Sequence, residues 1–520
     1  MANRAGKISA VTAGGVAIAA ALTLMCLGTL AAVLWRASGA GLGPTDVSAI
    51  KFTVLQSAVS ALISVALAVP VARALARRRF AGRSLLITLL GAPFLVPIIV
   101  AVMGLLQVFG RSGLINSGLS AIGLPPISIY GFHGVVLAHV FFNLPLAVRM
   151  VLQGWQAIPA ERFRLAAALG FTPPDILRHF ERPMLRDVLP GAALVIFTLC
   201  LSSFAVALTL GGGPRATTVE LAIYQALRFD FNLGRAAALA AVQFALCATA
   251  VLISFRIAKP TTFGAGLDRA QVLWPKLGPA TALLDAAAIG AMAVFLLSPL
   301  AMMVLRGVPG LFDLPPAVWP ALLRSVTVAA VSTALTMTAA VILALAIVQG
   351  RSAKPLELAA MLPLAASSLV LGTGLFLVVQ PWIAVEKLAL PVTALVNATL
   401  ALPFALRIVL PALRSIEADY GRLAASLNLS GLAKWRWLIL PRLRAPLGFA
   451  AGLVAALSMG DLGVVALFAG EAGVTLPLLM HRLMGAYRMD AAAAVALVLL
   501  TSSFAIFWLF DREGRRHANT

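Results

Sequence analysis

A chain of 520 residues that is 61% hydrophobic and only 11% charged, with a mean hydropathy of +0.99, lies outside the ordinary soluble class, in which about a quarter of the residues are charged. Its net charge of +21 does not mark a nucleic-acid binder, because the 40 Lys and Arg punctuate apolar stretches and do not gather into one domain with aromatic platforms. The three cysteines, Cys26, Cys200 and Cys247, all fall inside apolar stretches and form neither a disulfide framework nor a ligand-type spacing.

Apolar stretches of about 18 residues or more recur from end to end, long enough for helices to cross a bilayer, and the alternation of a β-barrel is absent. Met1 to Lys7 followed by an apolar run to Trp35 exceeds the apolar core of a cleaved signal, about 7–15 residues, so the first span is expected to be retained. The pattern predicts twelve helices, at 11–35, 52–76, 85–108, 132–152, 188–210, 236–257, 281–305, 322–349, 357–379, 391–411, 446–469 and 490–510. With the N-terminus in the cytoplasm, 29 of the Lys and Arg fall on the cytoplasmic side and 11 on the other. That bias predicts an inner-membrane, multi-pass protein with both termini cytoplasmic.

Between the fourth and fifth helices, and again between the tenth and eleventh, the same basic segment occurs. Ile158-Pro-Ala-Glu-Arg-Phe-Arg-Leu-Ala-Ala-Ala-Leu-Gly170 continues to Pro183; Ile416 leads through Arg422-Leu-Ala-Ala-Ser-Leu-Asn428 to Pro441. At an offset of 258, Arg164 falls on Arg422, Ala166 on Ala424, Pro183 on Pro441, and upstream Leu144, Pro145 and Arg149 fall on Leu402, Pro403 and Arg407. Pro93 and Gly104 fall on Pro363 and Gly374 at an offset of 270, which places a 12-residue insertion in the first copy between Gly110 and Ser128. Two copies of like orientation make a parallel repeat about an axis along the membrane normal. Residues 1–258 are read as the first half, 259–280 as a Pro- and Gly-containing linker and 281–520 as the second half. Each basic segment is expected to form a helix, a turn and a second amphipathic helix ending at its proline.

These segments resemble the coupling loops of bacterial ATP-binding-cassette importer permeases, whose pattern is Glu-Ala-Ala, three residues, Gly, nine residues and Ile-x-Leu-Pro. Ala166, Gly170, Phe180 and Pro183 match it in one copy, Ala424, Leu438, Leu440 and Pro441 in the other. Arg164 and Arg422 stand where the family has Glu, and Asn428 replaces the turn Gly; Asn tolerates the left-handed conformation, so the turn can survive. The segments from Leu210 to Arg235 and from Gly460 to Asp490 are similar to the fused thiamine permeases, with the fused ferric-iron permeases next nearest.

The resemblance implies an all-α membrane protein of two tandem six-helix domains of the type I, binding-protein-dependent class, with coupling loops at about 153–187 and 412–445. It implies two copies of an ATPase subunit, which would hold the ATP and Mg, a periplasmic substrate-binding protein, the lipid bilayer and a small-molecule cargo as partners, with no cofactor or metal on this chain. A Gly-x-x-x-x-Gly-Lys-[Ser/Thr] loop is absent, so the phosphate-cradling backbone of an ATPase is missing here.

For the cargo path, Asp461 inside the eleventh span is the conspicuous residue, since an ionised carboxylate in a membrane is costly. Ser203 is its counterpart, and Phe204 and Phe468 offer aromatic faces to a thiazolium cation. The bland reading of Asp461 is a hydrogen-bonded structural group. His133, His139, His179, His481 and His517 show no metal-like or catalytic spacing, and Gln243 and Asn143 read as interhelical hydrogen-bond formers. Pro93, Pro97, Pro145, Pro363 and Pro403 read as kink sites. An ion-coupled secondary transporter, which also uses parallel repeats, should carry several buried ionisable groups; apart from Asp461 and Asp285, the predicted spans lack them.

Overall fold

The computed structural model describes residues 10–37, 41–91, 95–213, 216–257, 278–350 and 353–516. The expected linker therefore lies outside the described residues apart from its last three, as do Pro93 and His517.

Among the described residues the chain is helical without strands. The first copy comprises α1 (Ala10–Ala37), α2 (Pro44–Arg77), α3 (Arg83–Leu89), α4 (Ile98–Phe109), α5 (Leu114–Ala121), α6 (Phe132–Gln156), α7 (Ala160–Ala168), α8 (Pro173–Ile176), α9 (Arg182–Leu201), α10 (Ala205–Leu210), α11 (Val219–Arg228) and α12 (Leu233–Ile257). The second comprises α13 (Pro279–Gly310), α14 (Val318–Gln349), α15 (Ala353–Met361), α16 (Ser368–Val379), α17 (Ala389–Ser426), α18 (Gly431–Lys434), α19 (Leu440–Met459), α20 (Gly463–Phe468), α21 (Leu476–Gly485) and α22 (Met489–Arg516). The order repeats, with two differences that single residues explain. Pro159 has no N–H to donate and stops α6 at Gln156, whereas Glu417 at the matching place lets α17 run unbroken for 38 residues. The helix α5 fills the inserted loop of the first copy, where Asn116 ties it to the carbonyls of Gly110 and Ile127 at 2.8 Å.

The opening helix of each copy packs across the other copy. α1 lies against α14, α15 and α16, and α13 lies against α2 and α4. Glycines permit both crossings at their tightest points. A Cβ on Gly104 would stand 2.5 Å from the carbonyl oxygen of Pro299, and one on Gly374 would stand 2.4 Å from the Cβ of Thr29. Pro299 and Thr29 are themselves 270 residues apart, so the offset that pairs the glycines pairs the residues they meet.

Eleven described helices are long and apolar enough to cross a membrane, and α15 with α16, bent by 93° at Ala366 and Ser367, brings the number to twelve if the pair is one span. Several predicted spans are not continuous. The one predicted at 188–210 stops at Leu201, and that at 446–469 stops at Met459, each followed by a break and a helix of six residues. After these come α11 and α21, ten residues each. Such helices span about 15 Å, half of a hydrocarbon core. Both are anchored alike: the N–H of Val219 donates to Thr53 Oγ1, and that of Leu476 donates to Ser325 Oγ, each at 2.9 Å.

The three cysteines are buried and free. Gln243 Nε2 donates to the carbonyl of Leu201 at 2.8 Å, and Asn143 Nδ2 to Cys200 Sγ at 3.4 Å, so both residues bridge helices. His139 is buried within α6, with neither ring nitrogen hydrogen-bonded among the described residues. Pro145 and Pro403 sit inside α6 and α17, Pro97 begins α4, and Pro363 lies in the tight turn of helix between α15 and α16.

Candidate functional site

Each basic segment folds as a helical hairpin whose turn is the same Schellman motif. In the first, Phe171 N–H donates to the carbonyl of Ala166 and Gly170 N–H to that of Ala167; in the second, Leu429 and Asn428 donate to Ala424 and Ala425. The residue at the turn must be left-handed, and Gly170 (φ +68°) and Asn428 (φ +53°) both are. The Asn replacement therefore keeps the geometry.

The second helix of each hairpin does not end at its proline, as the sequence reading expected. A single π-turn, Leu177–Glu181 or Trp435–Ile439, joins it to the next span, and Pro183 and Pro441 take the second position of the regular helix that follows. The wider turn gives the proline ring room and replaces the lost hydrogen bond with i→i−5 bonds, Arg182 to Leu177 and Leu440 to Trp435.

Ala166 and Ala424 are buried on the underside of the hairpins, each 2% exposed. Beneath the first, Phe163 meets Phe180 edge-on at 5.5 Å; on the second, the Arg442 guanidinium lies 4.2 Å over the Tyr420 ring. The outer faces carry Arg164 and Arg422, both exposed, beside exposed Leu165, Leu169, Leu423 and Leu427. Four apolar side chains at one 258-residue spacing form two matching patches with basic rims.

Ion pairs fix the first hairpin to the bundle. Glu181, in the π-turn, is fully buried, accepts from Arg73 Nε of α2 at 3.0 Å and is ion-paired with the same guanidinium at 2.7 Å. Arg77 and Arg78, at the end of α2, bind Asp285 of α13 at 2.8 and 2.7 Å. The second hairpin is held by Lys434 to Glu417 at 2.7 Å.

A second candidate site lies at the seam where α10 and α11 meet α16 and α20. Ser203 is half-buried in the break after α9. Phe204 packs edge-on against Tyr224 at 5.3 Å and reaches to within 3.7 Å of where a Cβ of Gly463 would stand; the same Cβ would lie 2.8 Å from Ser368 Oγ. Asp461 lies in the matching break after α19, with its carboxylate against the backbone amides of Gly463, Val464 and Val465 at the start of α20 and its Oδ2 buried without a hydrogen-bond partner. Phe204 and Asp461 thus meet at one seam. Phe468 does not join them: it is 1% exposed and faces α16, edge-on to Phe376 at 5.8 Å.

Sequence reasoning missed Glu220, which is fully buried in the first turn of α11. A Thr followed by an acid in the first turn is an ordinary helix start, and ten residues are too few for a span, so nothing in the sequence marked this acid as an interior one. Among the described residues no three His, Cys, Asp or Glu side chains gather as metal ligands would.

A duplicated helical bundle with crossed opening helices and a matched pair of helical hairpins is the architecture of a multi-span permease of the ATP-binding-cassette importer class. No family model matches the chain. It is 39% identical over 485 residues to the thiamine transport system permease protein ThiP of Salmonella typhimurium, covering 91% of this chain and 90% of that protein. It is 36% identical over 520 residues to ThiP of Brucella abortus, covering 95% of each. The molybdenum transport system permease protein ModB of Mycobacterium bovis is 32% identical over 179 residues, 34% of this chain. The chain belongs to the family of thiamine transport system permease proteins.

Proposed function

We propose that this chain is the membrane subunit of an ATP-driven importer that passes thiamine from the periplasm to the cytoplasm by alternating access. Support for the cargo comes from relatives of that name along nearly the whole chain. The observation that carries the mechanism is the pair of hairpins with exposed leucines at one spacing, because two equivalent patches suit two copies of one motor. The hairpins, and with them both termini, face the cytoplasm; Leu165 and Leu169 insert into one ATPase subunit and Leu423 and Leu427 into the other. Hydrolysis of ATP, with its Mg, belongs to those subunits.

Residues 1–258 and 281–520 act as two halves. When the ATPase subunits close they push both hairpins, and the continuous helices α8 to α9 and α18 to α19 carry the push into the breaks at Ser203 and Asp461. A soluble binding protein delivers the cargo at the opposite face. Asp461 contributes a carboxylate, and Phe204 a ring face, to the passage of a thiazolium cation.

The test is uptake by cells carrying the complete importer, with thiamine, its phosphates and ferric iron in competition. Thiamine uptake that depends on the ATPase and is blocked by excess thiamine but not by iron is the expected result. Uptake that survives deletion of the ATPase would show a secondary transporter instead.

A further inference from the structure

Four acids are buried among the described residues: Asp46, Glu181, Glu220 and Asp285. Three of them meet arginine. Asp46 accepts from Arg235 at 2.7 Å, Glu181 from Arg73 at 3.0 Å, and Asp285 from Arg77 and Arg78 at 2.8 and 2.7 Å. Glu220 is fully buried and meets no cation among the described residues. Its nearest polar neighbours are Ser367 and Gln243. Gln243 has committed its amide to the carbonyl of Leu201, and its own Oε1 is buried without a donor. Only neutral groups, the hydroxyl of Ser367 and the amide of Gln243, therefore face this carboxylate, in a chain that holds 40 Lys and Arg.

The place is as telling as the charge. Glu220 lies beside Ser367, whose neighbour Ser368 touches Gly463, and Gly463 supplies one of the amides at the Asp461 carboxylate. The two acids come from different copies of the repeat and face the same seam. Neither is duplicated: Ser203 stands at the counterpart of Asp461, and in the matched helices α11 and α21, where Val219 and Leu476 hold the same place, Pro477 stands at the counterpart of Glu220. An unpaired buried carboxylate costs several kcal/mol unless a cation or a proton meets it.

We propose that Glu220 is the first copy's counter-ion for a cationic cargo, set across the seam from Asp461 of the second copy, so that the cargo supplies the charge that arginine supplies to the other buried acids. The site takes an organic monocation of modest size and rests on the thiamine reading above. The one arginine of α11, Arg228, does not pair with Glu220 but donates to the carbonyl of Ala469 at 3.4 Å, which leaves the acid free for a cationic cargo.

The test uses the complete importer, this chain with its ATPase and binding protein, reconstituted in liposomes and supplied with radiolabelled thiamine. Glu220→Gln keeps shape and hydrogen bonding but removes charge. It is expected to lower uptake about tenfold, the factor that ~1.4 kcal/mol of lost attraction gives, while ATP hydrolysis stimulated by the binding protein persists; Glu220→Asp restores part of the uptake. Gln243→Lys places a resident ammonium beside Glu220 and is expected to block uptake in an assembled complex, which keeps the test decisive if E220Q assembles poorly. Unchanged uptake in assembled E220Q or Q243K overturns the Glu220 assignment alone. Failure of the unsubstituted complex to take up thiamine overturns the cargo reading beneath it.

Discussion

Asn428 shows how much one side chain can hold. It occupies a left-handed turn position that its twin fills with Gly170, and the two hairpins keep the same hydrogen bonds. Asn428→Gly should therefore preserve binding of the ATPase, whereas Asn428→Val, β-branched at positive φ, should cost ~1–2 kcal/mol locally and weaken co-purification of the ATPase. Asp461 sits in a break and holds the amides of a six-residue helix, so a structural role and a cargo role are both open to it. They separate in Asp461→Asn, which can still accept those hydrogen bonds. Depressed thiamine uptake with the ATPase still bound is the expected outcome; normal uptake removes the residue from the path.

At the scale of elements, crossing helices depend on the absence of a single methyl group. The Cβ of Gly374→Ala would lie 2.4 Å from Thr29 Cβ and 2.7 Å from its carbonyl oxygen, so α16 and α1 must part. Overpacking of this kind costs ~1–3 kcal/mol, and a lowered melting temperature of the purified protein in detergent should report it for Gly374→Ala and Gly104→Ala alike. The join between α2 and α13 is of another kind. Asp285 and Arg77 have side chains 6% and 8% exposed. Asp285→Asn takes the carboxylate from both Arg77 and Arg78 and should destabilise by ~3 kcal/mol, measured as a fall in melting temperature larger than that for Glu357→Gln, whose pair with Arg414 is exposed. The pair has no mirror image: Gly15 stands at the counterpart of Asp285, packed close against Ala346. One inter-copy crossing is charged where its twin is small and apolar.

For the whole molecule, the proposed reading makes docking bivalent: with two ATPase subunits that hold each other, binding of one to its hairpin brings the second to the other hairpin at a high effective concentration, and the pair binds more tightly than either alone by a factor that reaches ~100 or more. Leu165→Asp with Leu169→Asp should leave a partial complex that loses one ATPase on washing, and adding Leu423→Asp with Leu427→Asp should abolish co-purification. Retention of both ATPase subunits by the four-site variant would place the docking surface elsewhere. Each hairpin is joined to its span through a π-turn, so on the proposed reading the path from the leucines to the central breaks is continuous helix.

Sequence by itself determined the membrane class, the helical fold, the duplication and both hairpins, down to the tolerance of Asn428 for a left-handed turn. Those properties rest on composition, on apolar run length and on residues close together in the chain, where local sterics and hydrogen bonding decide. It did not disclose that the runs predicted at 188–210 and 446–469 break into a long helix and a six-residue one, because a break at Ser203 or Gly460 leaves the apolar run intact and hydropathy counts composition without direction. Nor did it reveal the crossing of α1 and α13, the burial of Phe468 or the isolation of Glu220. Tertiary structure alone decided these, because whether a buried acid meets an arginine depends on which helices pack together, and its partners lie far away in the chain: Arg235 for Asp46, Arg73 for Glu181, and no cation among the described residues for Glu220.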